Sequence, residues 1–151
     1  MIRLARPEEA DAIRQLSAEA YVPAYMPLFG RAPMPAREDY APRIARGEVW
    51  VMQVDEQLAA ALVLEDRSSY LLVYSVAIRP AFQKRGLAAE LLSFAEQQAA
   101  AKGFGEIRLY TNEKMLRNQA IYRRAGYREI GRRPHPSQPG VQLVDMAKTL
   151  T

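Results

Sequence analysis

The sequence contains no cysteine and a single histidine, His135. The first absence excludes disulfides, thiolate catalysis and cysteine-ligated zinc. The second excludes a histidine-rich metal site, so no metal is expected. No apolar run approaches the ~20 residues of a membrane span, and Met1 to Pro7 lack the apolar core of a secretory signal. The expectation is a cytoplasmic protein with no membrane partner. Two phosphate-binding motifs are missing as well. There is no Gly-x-Gly-x-x-Gly of the dinucleotide folds, and the nucleoside-triphosphate loop needs Gly-Lys-Ser/Thr where this chain has Gly86-Leu87-Ala88.

What is present is enough for one domain over residues 1–151 with a proper core. Charge is unevenly spread. Residues 1–75 hold 8 Lys/Arg against 11 Asp/Glu, and residues 76–151 hold 13 against 6. A basic half fits a phosphorylated ligand, nucleic acid or simply a solvated arginine-rich surface.

The pattern of apolar residues reads as a short strand over Ile2–Leu4 and a helix opened by Pro7-Glu8-Glu9, with Ala12, Ile13, Leu16 and Ala20 on one face. Tyr21 to Ala36, with prolines at 23, 27, 33 and 35, is expected to be an irregular or short-helical connection. Asp39 to Arg46 reads as a short helix, and Val49–Val54 and Leu58–Leu64 as a hairpin. Further strands are expected at Tyr70–Ile78, Ile107–Thr111, Tyr127–Arg133 and Val141–Lys148, with helices at Leu87–Lys102 and about Met115–Ala125. The strand–helix–strand run from Tyr70 to Thr111 is a parallel crossover.

The chemistry concentrates where the strand ending at Ile78 runs into Gln83-Lys84-Arg85-Gly86-Leu87-Ala88 and then a helix. The first N–H groups of a helix have no intrahelical partner and its dipole favours anions there. Lys84 and Arg85 add positive charge at the same place. A second pattern follows, Leu109-Tyr110-Thr111-Asn112 and then Asn118-x-x-x-Tyr122-x-x-x-Gly126-Tyr127.

With these two motifs in this order, the chain resembles the GNAT superfamily of N-acetyltransferases. Their Gln/Arg-x-x-Gly-x-Gly/Ala turn binds the pyrophosphate of acetyl-coenzyme A, and their second signature is Asn-x-x-x-Tyr-x-x-x-Gly-Phe/Tyr. The resemblance covers Glu48 to Gly126 well. It implies an α+β fold: a mixed, mostly antiparallel sheet of about six or seven strands, helices on both faces, and a parallel crossover in the middle. It implies acetyl-CoA as co-substrate and an amine acceptor, and it is compatible with a homodimer.

Carried over residue by residue, the resemblance assigns Gln83, Lys84, Arg85, Gly86, Leu87, Ala88 and Ala89 to the pyrophosphate. Val76, Ala77 and Ile78 fall beside the pantetheine arm, and Asn118 and Tyr122 contact the donor. Ala88 stands where many members have glycine. Tyr122 is the candidate general acid: a tyrosine, with an ordinary pKa of about 10, stays protonated at neutral pH and can protonate a thiolate whose acid lies near about 8.5. A core tyrosine packing its helix is the alternative.

No base is assigned. Family members often use a strand carboxylate, and Leu71–Ile78 and Ile107–Thr111 have none. The remaining candidates are Glu65, Asp66, Asp145, His135 and a water chain. The acceptor is expected between the Tyr21–Tyr40 segment and the Arg132–Gly140 loop. There Tyr21, Tyr25, Met26, Phe29, Met34 and Tyr40 either line an apolar pocket or pack the segment, and Arg132 or Arg133 can meet a carboxylate.

The leading reading is an acetyl-CoA-dependent N-acetyltransferase for a small amine, amino acid or peptide amine. A catalytically silent acyl-CoA-binding regulatory module is the alternative on the same fold. Nucleic acid is the least favoured partner, because the basic residues gather at the turn and around Tyr122.

Overall fold

Strands form where the β-branched and aliphatic runs predict them, and they join in one seven-stranded sheet. The computed structural model describes residues 1–151. The strands are β1 (Ile2–Leu4), β2 (Val49–Val54), β3 (Gln57–Asp66), β4 (Leu71–Ile78), β5 (Glu106–Asn112), β6 (Arg128–Pro134) and β7 (Gln142–Thr149). The helices are α1 (Ala10–Phe29), α2 (Ala41–Ala45), α3 (Leu87–Ala101) and α4 (Leu116–Arg124). The sheet order is β1-β2-β3-β4-β5-β7-β6. It is mostly antiparallel, with one parallel pair, β4 on β5, in register from Leu71↔Ile107 to Val73↔Leu109. The crossover through α3 makes that pair parallel, since a tight turn cannot. No helix is long and apolar enough to cross a membrane.

Two compact units make up the chain. The first comprises Met1–Leu64 with Ser75–Leu91, the second Glu65–Tyr74 with Leu92–Thr151.

In the first unit, α1 departs from expectation. It does not stop before Pro23 but runs 20 residues, with Pro23 and Pro27 inside, and ends at Gly30 in the left-handed region (φ +69°). Each proline removes one helical N–H and costs on the order of 3 kcal/mol. Side chains at i, i+4 spacing offset part of this. The Tyr21 and Tyr25 rings meet edge to face at 5.9 Å, and Tyr25 and Phe29 lie 5.5 Å apart. Met34–Ala36 then folds as a 3₁₀ turn, and the short helix expected within Asp39–Arg46 is α2 (Ala41–Ala45).

The first half of α1 is anchored by Ile13, Leu16 and Ser17, all buried. Burying side chains the size of Ile13 and Leu16 contributes about 1.5–3 kcal/mol each. A 3₁₀ turn, Pro7–Glu9, leads into the helix. Arg3 grips the Glu9 carboxylate with two parallel bonds of 2.9 and 2.8 Å, and the Arg6 N–H donates to the same carboxylate at 2.7 Å.

In the second unit, Lys148 of β7 ties three elements together. Its ammonium donates to the Ala125 carbonyl at the end of α4 (2.8 Å) and pairs with Glu96 of α3 (2.9 Å). The Lys148 chain lies against Gly126, where an added Cβ would meet it at 3.0 Å in a left-handed backbone (φ +101°). An alanine there would need the Lys148 chain to give by a few tenths of an ångström and would hold a backbone conformation that side chains disfavour. Next to it, Tyr127 is buried and its hydroxyl has no hydrogen-bond partner. Burial, then the Glu96 charge, pushes that phenol's pKa up.

Two stability predictions follow from these contacts. The Arg3 bond holds the Glu9 carboxyl below the ordinary glutamate range. A depressed folded pKa gives stability that is present above the unfolded value and lost as pH falls through the folded one. Urea midpoints are therefore expected to drop between about pH 5 and about pH 3, less steeply for Glu9→Gln than for the parent. An identical pH slope in both proteins would remove Glu9 from the account. Tyr127→Phe deletes an unpaired buried hydroxyl and is expected to stabilise by about 1 kcal/mol in urea unfolding. A loss of stability would mean that the hydroxyl has a partner in solution.

Candidate functional site

Two loci carry the sequence motifs, one in each unit. In the first unit the geometry starts from one peptide. The Arg79 N–H donates to the Ala59 carbonyl of β3 at 2.9 Å. Backbone groups alternate sides along a strand. Ala77 therefore turns its N–H and C=O toward β3, while Val76 and Ile78 turn theirs to the opposite edge. The partners of those two carbonyls agree. The Tyr21 hydroxyl donates to the Val76 carbonyl (3.1 Å) and accepts from Ser75 Oγ (2.8 Å), and the Gln83 side-chain amide donates to the Ile78 carbonyl (3.1 Å). The side chains of Ser75 and Ala77 are buried and those of Val76 and Ile78 half-buried.

Arg79 fixes this corner. Its Nε donates to the Leu58 carbonyl at 3.0 Å and its guanidinium pairs with Glu19 of α1. The chain then makes a 3₁₀ turn over Pro80–Phe82, with Phe82 buried and the Arg85 guanidinium 5.2 Å above its ring. The turn that follows passes through the left-handed region at Lys84 (φ +64°) and again at Gly86 (φ +80°). A Cβ on Gly86 would meet nothing within 4 Å. The first N–H of α3 to find a carbonyl is that of Glu90, bonded to Gly86 at 3.2 Å. The N–H groups of Leu87, Ala88 and Ala89 precede it and have no partner inside the helix. Gln83 to Gly86 are exposed, and Leu87 and Ala88 half-buried. Such a turn at a helix start is a cradle for oxyanions, and Lys84 and Arg85 supply countercharge.

In the second unit, α4 is set at a fixed angle by the turn before it. The Asn112 side chain accepts the Lys114 N–H at 3.0 Å, and the Met115 N–H donates to the Asn112 carbonyl at 2.9 Å. Gln119, buried, donates to the carbonyls of Glu113 (2.9 Å) and Asn112 (3.4 Å). The Glu113 carboxylate accepts the Gln142 N–H at 2.6 Å. Asn118 and Tyr122 share a face of α4, one turn apart, and both are half-buried. The Tyr122 ring stands edge-on to Tyr127 at 6.3 Å. Gln119 is the residue that sequence reasoning passed over, since it sits in the variable part of the motif. A lone glutamine on the inner face of a short helix was the available signal.

The candidate bases are all committed. Asp145 accepts two bonds from Arg133 (2.9 and 3.0 Å), and that guanidinium lies 4.9 Å over the Tyr110 ring. Glu65 pairs with Arg67, and Asp66 with Lys102. His135 accepts the Ser137 N–H at Nδ1 (3.0 Å), which leaves the proton of the neutral ring on Nε2. Of the expected acceptor residues, Tyr40 belongs to the core: it is fully buried, with its hydroxyl donated to the Pro35 carbonyl. Arg132 pairs with Glu129, as Arg133 does with Asp145, so neither guanidinium waits for a carboxylate. Tyr21, Tyr25 and Phe29 form the ladder on α1, and Met26 and Met34 stand exposed.

A strand with an outward-facing edge running into an open turn at a helix start, and an Asn–Tyr face on a later helix, are the two features the sequence motifs mark. Residues 11–127 match the sequence model of the acetyltransferase (GNAT) family, and the chain belongs to that family. Among solved structures, it is similar to the PaiA N-acetyltransferase of Thermoplasma acidophilum in complex with coenzyme A (16 % identity, TM-score 0.81, covering 99 % of this chain and 98 % of that one). It is also similar to the ribosomal-protein-S18-alanine N-acetyltransferase of Escherichia coli (15 %, TM-score 0.79, 100 % and 94 %). A third likeness is to yncA, a putative acetyltransferase from Salmonella typhimurium with its cofactor acetyl-CoA (20 %, TM-score 0.76, 100 % and 94 %). At these identities the likeness is one of fold. No curated protein matches the sequence.

The left-handed backbone at Gly86 gives a test of the turn itself. Gly86→Ala has room for its methyl, yet it is expected to cost about 1 kcal/mol in urea unfolding, because an L-residue pays for that φ. No loss would mean that the turn relaxes to another conformation in solution.

Proposed function

We propose that the protein is an acetyl-CoA-dependent N-acetyltransferase that moves the acetyl group from the thioester to a primary amine by direct attack. The observation that carries this reading is the outward edge of β4 leading into the open turn at Gln83–Ala88. Similar structures with coenzyme A or acetyl-CoA bound support the choice of donor.

The N–H groups of the turn, from Lys84 to Ala89, hold the pyrophosphate, with Lys84 and Arg85 as countercharge. The N–H groups of Val76 and Ile78, on the outward edge, pair with the pantetheine arm as a neighbouring strand would. One of them polarises the thioester carbonyl. Ala77 keeps the register between them, with its own backbone groups turned to β3 and away from the arm. Asn118 contacts the arm.

The amine nitrogen forms the new C–N bond as the C–S bond breaks. The leaving thiolate takes a proton from Tyr122, the ammonium formed on nitrogen loses its proton to water, and solvent returns a proton to the Tyr122 phenolate. No protein base is assigned, because each candidate carboxylate and His135 is engaged elsewhere. That same engagement favours the second reading, a silent acyl-CoA-binding module.

Thiol release from acetyl-CoA across a panel of amines, amino acids and peptides separates the two. Turnover with at least one acceptor is expected. Tyr122→Phe is expected to lower kcat by about 10²-fold or more while the coenzyme A Kd stays within about threefold. Tight coenzyme binding with no thiol release from any acceptor would establish the silent module. Full turnover in Tyr122→Phe with an unchanged pH profile would remove that residue as the acid.

A further inference from the structure

The helix that carries Tyr122 has almost no apolar anchor. From Leu116 to Arg124 only one of its side chains is buried, and that one is the polar Gln119. Leu116 is 72 % exposed. A helix this short is marginal by itself, and its ends fray first. Tyr122 lies in the last turn, so hydrogen bonds and not burial must hold it in place.

The bonds of Asn112 and Gln119 fix the first turn of α4. Other groups fix the last. The Tyr127 N–H donates to the Tyr122 carbonyl and the Gly126 N–H to the Arg123 carbonyl, both at 3.0 Å. With Gly126 at φ +101°, this is the paired closure by which a left-handed glycine ends a helix. The Tyr127 ring, edge-on to Tyr122 at 6.3 Å, adds the side-chain contact that accompanies such closures. The Ala125 carbonyl is then taken by the Lys148 ammonium at 2.8 Å, a cation at the negative end of the helix dipole. Lys148 is itself held at both ends. Its backbone stands opposite Ile107 in the β5–β7 pairing, and its ammonium pairs with Glu96 of α3 at 2.9 Å.

We infer that Lys148 is a positioning residue for acetyl transfer, which holds the last turn of α4 and through it the Tyr122 phenol. The inference rests on the acetyltransfer reading above. The route is the backbone: ammonium to the Ala125 carbonyl, then the Gly126 closure, then the bond from Tyr127 back to Tyr122. A proton donor displaced by about 1 Å costs about 10²-fold in rate. Loss of the clamp is therefore read in the chemical step, while coenzyme A binding, which rests on the turn at Gln83–Ala88, is left as it was.

The test is a double-mutant cycle on the single-turnover rate of thiol release with the best acceptor of the panel. Lys148→Met keeps the stem and removes the ammonium. It is expected to slow release at least about tenfold, with the coenzyme A Kd and the acceptor KM changed by less than about threefold. In the Tyr122→Phe background the same substitution is expected to cost less than about twofold, because the group it positions is already gone. Lys148→Met also strands the Glu96 carboxylate. Lys148→Met/Glu96→Gln removes that charge and is expected to stay as slow. Amide exchange by NMR reads the clamp without turnover: the Tyr127 N–H is expected to exchange at least about tenfold faster in Lys148→Met, and the Leu109 N–H of β5 by less than about threefold. Equal rate losses in the two backgrounds, recovery in Lys148→Met/Glu96→Gln, or an unmoved Tyr127 N–H would each overturn the inference. Full turnover in Tyr122→Phe would overturn it too, by removing the acid it serves. If no acceptor releases thiol, the acetyltransfer reading fails, and the exchange of the Tyr127 N–H alone decides whether Lys148 holds the Tyr122 turn.

Discussion

One hydrogen bond, from the Arg79 N–H to the Ala59 carbonyl, sets the parity of the end of β4. Because backbone groups alternate along a strand, that bond decides which peptides face β3 and which face outward. Shifted by one residue, the outward edge would present Ala77 in place of Val76 and Ile78. The Tyr21 and Gln83 side chains would then have no carbonyls to meet. The Arg79 side chain reinforces the choice by bonding the Leu58 carbonyl one residue earlier on β3. The turn at Gln83–Ala88 starts five residues past the edge, so its orientation inherits the same register.

Much of this was legible in the sequence because it is local. A glycine at the helix start, two basic residues before it and an apolar strand leading in are features of contiguous residues, and Leu87–Ala101 and Leu71–Ile78 fall where the pattern put them. The Asn118–Tyr122 face follows from helix periodicity alone. What the sequence did not reveal depends on distant partners. The Tyr21 hydroxyl meets Ser75 and Val76 from 54 and 55 residues away. Nothing near Tyr21 announces that contact. The continuation of α1 through Pro23 and Pro27 was hidden for a related reason. Proline's intrinsic cost argues for a break, and the ring ladder that opposes the break is visible only once a helix is assumed.

Charge alone left its meaning open. The basic second half fitted a phosphorylated ligand, nucleic acid or a solvated arginine-rich surface equally. Arg108, Arg132 and Arg133 are instead paired with Glu106, Glu129 and Asp145 on neighbouring positions of the sheet. Lys84 and Arg85 differ, standing exposed on the turn where anion-binding N–H groups gather. Net charge therefore described the composition, while position decided which charges remain for a ligand.

The two prolines of α1 also bear on how such a chain can diverge. A helix interrupted at two rungs does not transmit its cooperativity from one end to the other. The N-terminal half draws its stability from Ile13 and Leu16 in the core and from the Arg3–Glu9 clasp. The C-terminal half carries no fully buried side chain and bears the Tyr21, Tyr25 and Phe29 ladder. Exchanges of side chain beyond Pro23 therefore touch little of what keeps the domain folded. Drift in that arm leaves the β3–β4 register, set by the Arg79 N–H and the Ala59 carbonyl, as it is.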